Sequence, residues 1–207
     1  MRDAAAIDNE DNWTGGFYEL AIEVGPTSDA RLEETLTALW RLAGIQGTLA
    51  VTSRKPLRHG PAPLNLASLD SAGHLRGVID LPVGHRSVCG VVAVREEMAG
   101  PAIGHSDWLA LYVPLGALAR IDARIAGFPF DIESGSASLS WRRSLDEWLA
   151  GIGRSVYGEV PFCLALVGFE ALGDVHADDL GSGVPHVRQH GFLLPQNSRL
   201  WYYPATQ

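Results

Sequence analysis

Two cysteines, a single lysine and no long apolar run mark this 207-residue chain, and each scarcity removes a class of protein. Cys89 and Cys163 are too few for a disulfide framework and too far apart for a zinc knuckle. Each stands in an aliphatic run, so both are expected as buried free thiols in a reducing cytoplasm. Lys55 is the only lysine, and no Gly-x-x-x-x-Gly-Lys phosphate loop exists around it. Gly151 and Gly153 lack the third glycine of a dinucleotide fingerprint, and no Gly-x-Ser-x-Gly elbow occurs. No cofactor is implied and no catalytic residue is assigned. The longest apolar stretches, 88–94 and 162–169, fall short of the ~18 residues a spanning helix needs, so no membrane partner is expected. Basic residues are also scarce: 16 against 24 acidic ones give a net charge of −8. Nucleic acid is therefore not expected as a partner, because phosphate neutralisation needs a concentrated basic surface.

What is present is enough apolar sequence for a core, 46% of residues at a mean hydropathy of +0.05. Residues 1–12, with Asp3, Asp8, Glu10 and Asp11, read as a disordered acidic tail. Residues 17–24 alternate as a half-buried strand does, with Tyr18, Leu20, Ile22 and Val24 on one side and Glu19 and Glu23 on the other. Ser28 or Asp29 can cap a helix running to Gly44. Its Leu32, Leu36, Leu39, Trp40 and Ala43 recur with helical period as one apolar stripe. A strand at 48–53, a Pro/Gly-rich loop at 55–73 and a hairpin of 74–81 with 86–95 follow.

The second half offers a similar order. A strand at 108–115 alternates Leu109, Leu111 and Val113 with Trp108, Ala110 and Tyr112. A helix from about Ser140 carries Trp141, Leu145, Trp148, Leu149 and Ile152 in the same stripe frame as the first. A strand at 161–170 and a closing hairpin of 186–194 with 199–203 complete it. The expected fold is α+β: two pseudo-repeated strand–helix–strand–hairpin units, 13–98 and 99–207, joined in one compact unit. Each unit would carry an antiparallel-rich sheet covered by one long helix. This order resembles that of gyrase-inhibitor-like and effector-binding modules, whose paired strand–helix–strand–strand units hold small ligands between repeats. The resemblance implies a groove along the seam and assigns no residue.

Three clusters are candidates for chemistry. Glu19 and Glu23 from the first strand, with Trp108 and Tyr112 from the second, could line the seam. Carboxylates beside aromatic faces suit an organic cation. His176, Asp178, His186 and His190, with Asp179 nearby, have ligand types and spacing that could converge on a divalent metal. Arg54, Lys55, Arg58 and His59 could clamp a phosphate or an acidic partner. Arg142 and Arg143 are expected to form surface pairs of small value. Trp40, Trp141 and Trp148 read as core, while Trp13 and Trp201 are placed to tie down the ends. The first functional reading is a non-catalytic module binding a small organic ligand. The alternative is an acidic protein-interaction module with a basic protein partner or a homodimer, using the net charge and an apolar Phe128-Pro129-Phe130 connection. A metal-dependent hydrolase built on the C-terminal histidines is the third.

Overall fold

The structure is a computed structural model that describes residues 3–82, 84–95, 106–126, 136–181, 183–197 and 199–207. In chain order the elements are β1 (Phe17–Pro26), α1 (Asp29–Leu42), β2 (Gln46–Arg54), β3 (Leu57–Pro61), α2 (Leu66–Ala72), β4 (Leu75–Asp80) and β5 (Arg86–Arg95). There follow β6 (Ser106–Pro114), α3 (Leu115–Ile121), α4 (Ala123–Ala126), α5 (Leu139–Glu159), β7 (Leu164–Phe169), β8 (Gly191–Gln196) and β9 (Arg199–Tyr203). Among the described residues the nine strands form one antiparallel sheet in the order β3-β2-β4-β5-β6-β1-β7-β8-β9.

The α+β class holds, but the duplicated architecture is not supported. There is one sheet, and β1 of the first half lies between β6 and β7 of the second. After α1 the chain goes out towards the edge at β2 and returns through β4 to β5 beside the centre. After α5 it enters beside the centre at β7 and steps outward to β9. A repeat would keep that order. The two long helices also share one face of the one sheet: α1 and α5 touch, and their stripes join a single core with Tyr18, Leu20, Ile22, Leu109 and Leu111.

The α1 start follows local chemistry, since the Ser28 hydroxyl accepts the Arg31 N–H at 3.4 Å. Helix α5 reaches the sheet closely because Gly153 has no side chain; a Cβ there would stand 2.4 Å from Leu193 Cδ1. The opposite, outer face of the sheet carries a smaller cluster of Ala21, Trp108, Ala110, Leu164, Leu166, Ala171 and Phe192. Two segments outside the sheet lie against that face: residues 3–14 towards β3, with Trp13 under Arg76, and described residues of 170–190 towards β7, with Leu172 and Ala177 donating to Glu19 and Glu23.

Residues 3–12 are therefore not a frayed tail. Asn12 is buried and its amide donates to the carbonyls of Asp3 and Ala6, both at 3.0 Å, while the Val88 N–H donates to Ala4 O at 2.9 Å. The expected loop at 55–73 contains β3 and α2, the latter capped by Asn65. Cys89 is buried, but Cys163 is exposed, because it lies just before β7 begins. No helix among the described residues is long and apolar enough to cross a membrane. Most of the 99–107 connection, and the Phe128-Pro129-Phe130 segment, lie outside the described residues.

Candidate functional site

The sheet brings Glu19, Glu23, Trp108 and Tyr112 together. In the β1–β6 register Glu19 lies opposite Tyr112 and Glu23 opposite Trp108, all on the outer face. They do not line a groove. The seam between the halves is a backbone-paired strand couple, and all four side chains are at most 4% exposed. Described residues of the 170–190 segment close over Glu19, Glu23 and Trp108: Leu172 N–H donates to Glu19 Oε1 and Ala177 N–H to Glu23 Oε2, each at 2.7 Å. His176 Nδ1 stands 3.3 Å from Glu23 Oε1, and its ring meets Trp108 edge-on at 5.5 Å. Tyr112 faces His74 Nδ1 at 3.0 Å and lies across Gly90, where a Cβ would stand 2.4 Å from the phenol. Burial pushes the Glu19 carboxyl up to about 7 despite the amides of Leu172 and Ala171. Burial also raises the Tyr112 phenol.

The C-terminal histidines are not gathered. His176 serves Glu23, and its own N–H donates to Asp179 Oδ2 at 3.2 Å. His190 stands 3.2 Å from Asp174 on one ring nitrogen and 3.1 Å from Phe169 O on the other. His186 is exposed and its carbonyl accepts from Arg188. No group of three His, Cys, Asp or Glu among the described residues, Asp178 included, is placed to hold a metal ion. The spacing suggested convergence, but the His176 and His190 rings face other neighbours and His186 is exposed.

The basic cluster also divides. The His59 side chain is buried, with Nδ1 2.8 Å from Asp8 Oδ1 and Nε2 2.8 Å from Arg76 Nη1. The Arg76 guanidinium stacks on Trp13 at 3.9 Å, so this set pins the N-terminal segment rather than forming a phosphate clamp. Arg58 donates to its neighbour's carbonyl, Leu57 O, at 3.1 Å. Arg142, expected at the surface, is buried on the other face of the sheet. It donates to Ser138 Oγ at 2.9 Å and to Gln189 O at 3.3 Å, reaches Gln207 O, and shares Tyr18 and Asp146. Burial raises the Asp146 carboxyl to about 6.

Another concavity lies between α1 and the end of α5. It encloses about 660 Å³ and is lined by Asp29, Glu33, Glu34, Arg41 and Glu159 over Ala30, Ala38 and Val160. Arg41 is ion-paired to Glu159, and Arg95 reaches Asp29 at 2.7 Å. Glu33 accepts Leu66 N–H at 3.3 Å, and both Glu33 and Glu34 are exposed. The groove is thus negative along the solvent side of α1. In the sequence these residues carry no motif, although Asp29 and Glu33 stand four apart on the polar side of the stripe. No protein-family model, curated protein or solved structure matches the chain.

Proposed function

We propose that this chain is an acidic interaction module that receives a basic partner in the α1–α5 groove. The observation that carries the reading is the groove itself, about 660 Å³ and lined by four carboxylates, of which Asp29 and Glu159 are paired with Arg95 and Arg41 and Glu33 and Glu34 are exposed to solvent, on a chain of net charge −8. Such a field attracts cations over a distance of the order of the screening length and speeds their arrival more than it tightens their binding. The small-molecule reading placed its site along the seam, where β1 and β6 are paired and Glu19, Glu23, Trp108 and Tyr112 are buried.

The test uses an arginine-rich decapeptide as the probe and the whole chain as the receptor. Glu33→Lys with Glu34→Lys should weaken binding about tenfold, whereas Asp178→Lys with Glu147→Lys, the same charge change elsewhere, should weaken it far less. Raising salt from about 50 to about 300 mM should weaken wild-type binding as well. Equal loss from both double variants would show diffuse attraction to an acidic surface and reject the groove.

A further inference from the structure

The two edges of the sheet are treated differently. At the β3 edge, Leu57 N–H donates to Glu10 Oε1 at 3.1 Å and His59 N–H to Asp8 Oδ1 at 3.0 Å, so carboxylates of the N-terminal segment cap the outward main chain. A strand edge left uncapped is a template for another strand. Among the described residues the β9 edge has no such cap.

The pairing of β8 with β9 shows what that edge offers. Leu200 stands opposite Pro195, which has no N–H, so theirs is a pair without mutual hydrogen bonds and the Leu200 main chain turns away from β8. Alternation does the same for Tyr202, opposite Leu193. Among the described residues no hydrogen bond from outside the hairpin reaches either main chain. Between them Trp201 is 50% exposed on the outer face, where sequence position had suggested an anchor for the chain end. Pro204 follows β9 directly and ends the usable edge.

We propose that β9 pairs antiparallel with β9 of a second copy of this chain, about a twofold axis through Trp201. In that register Leu200 and Tyr202 of one copy exchange N–H and C=O bonds with Tyr202 and Leu200 of the other, using the groups β8 leaves over. The two Trp201 residues form the close, non-hydrogen-bonded pair at the axis, the geometry in which cross-strand aromatic rings meet best. Arg199 then faces Tyr203 of the second copy, so no like charges stand opposite one another. The self-match favours a second copy over a foreign strand: five residues centred on a tryptophan, with the free main-chain groups symmetric about it. Such a contact is isologous and closes at two subunits. It belongs to the small, transient class of interface, and each copy carries −8, so salt strengthens it.

Sedimentation of the whole chain at about 100 µM, a concentration that populates a weak dimer, should show dimers that increase with salt. Trp201→Lys, which leaves the monomer core untouched, should lower association by about tenfold or more. In a Cys163→Ser background, oxidised Trp201→Cys should cross-link to itself, because the paired Cβ atoms lie within disulfide reach at the axis. Tyr203→Cys, which faces position 199 instead, should not. A chain that stays monomeric, dimers that survive Trp201→Lys, or cross-linking through Tyr203→Cys alone would each overturn the proposal. So would capture of an extended peptide by monomeric wild type at the β9 edge.

Discussion

The two segments that cover the outer face are fastened by the same bond drawn in opposite directions. Towards β3, exposed carboxylates of the covering segment, Asp8 and Glu10, accept N–H groups of the strand. Towards β7, buried carboxylates of β1, Glu19 and Glu23, accept N–H groups of the covering segment. The electrostatic outcome follows where the carboxylate sits. The Asp8 carboxyl is held below its ordinary value, chiefly by its hydrogen bond to His59. Glu19 is pushed up to about 7, chiefly by burial. A carboxylate that reaches in from solvent keeps its hydration, whereas one that reaches out from a sheet interior gives it up.

The largest test of that contrast is Glu19→Gln. The folded-state value of about 7 against an ordinary 4.5 means the native state holds its proton more tightly than the unfolded chain. Ionised Glu19 then weakens the fold as pH rises from 4.5, and the cost is complete above 7, at about 3 kcal/mol. Glutamine keeps an acceptor for Leu172 N–H without the charge. The variant should therefore be more stable than wild type at pH 8 and lose that advantage near pH 4, as read by denaturant unfolding. Equal destabilisation at both values would mean that Glu19 is held by hydrogen bonding and not burdened by burial.

Which side chains share a face was legible in the sequence; what covers that face was not. Strict alternation in β1 and β6 put Glu19, Glu23, Trp108 and Tyr112 on the side away from the helices, as the register has them. The burial of Glu19 and Glu23 involves amides 153 and 154 residues further along the chain, and no local period encodes that. The helix stripes were equally plain, yet amphipathicity records only that a helix has a buried side, not the order of strands beneath it. Hence two similar stripes suggested two similar units. Short elements were lost where proline and glycine dominated: β3 spans five residues and ends at Pro61 on a sheet edge, where a missing N–H is tolerated. Pro195 falls just beyond the expected strand 186–194, but it lies inside β8, opposite Leu200, in a pair that needs no N–H from it.

The second test removes the other fastening. Trp13 donates to Ile7 O at 2.8 Å and lies beneath the Arg76 guanidinium, so it joins the N-terminal segment to β4. Trp13→Ala should cost about 2 kcal/mol of stability, part packing and part cation–π attraction. Amide exchange at Leu57 and His59 should accelerate as the segment lifts, while Leu172 and Ala177 remain protected. Uniform acceleration across both ends would show that the coverings are one cooperative unit and not two.

The smallest effect, and the one most specific to the contrast, is in pH alone. Burial depresses the His59 value below 6.5, and the contact with Arg76 adds to this, against the opposing pull of Asp8. His74, beside Tyr112, is depressed for the same first reason. A histidine that is harder to protonate in the fold contributes stability that is complete above 6.5 and is lost as pH falls through its lowered value. Glu19 runs the other way, since acidification returns its proton and relieves the buried charge. Between pH 8 and pH 5 the N-terminal covering should therefore loosen while the 170–190 covering tightens. Exchange at Leu57 and His59, corrected for intrinsic rates, should rise relative to exchange at Leu172 and Ala177. If both pairs shift in the same direction, the placement of the carboxylates does not govern how the two coverings respond to protons.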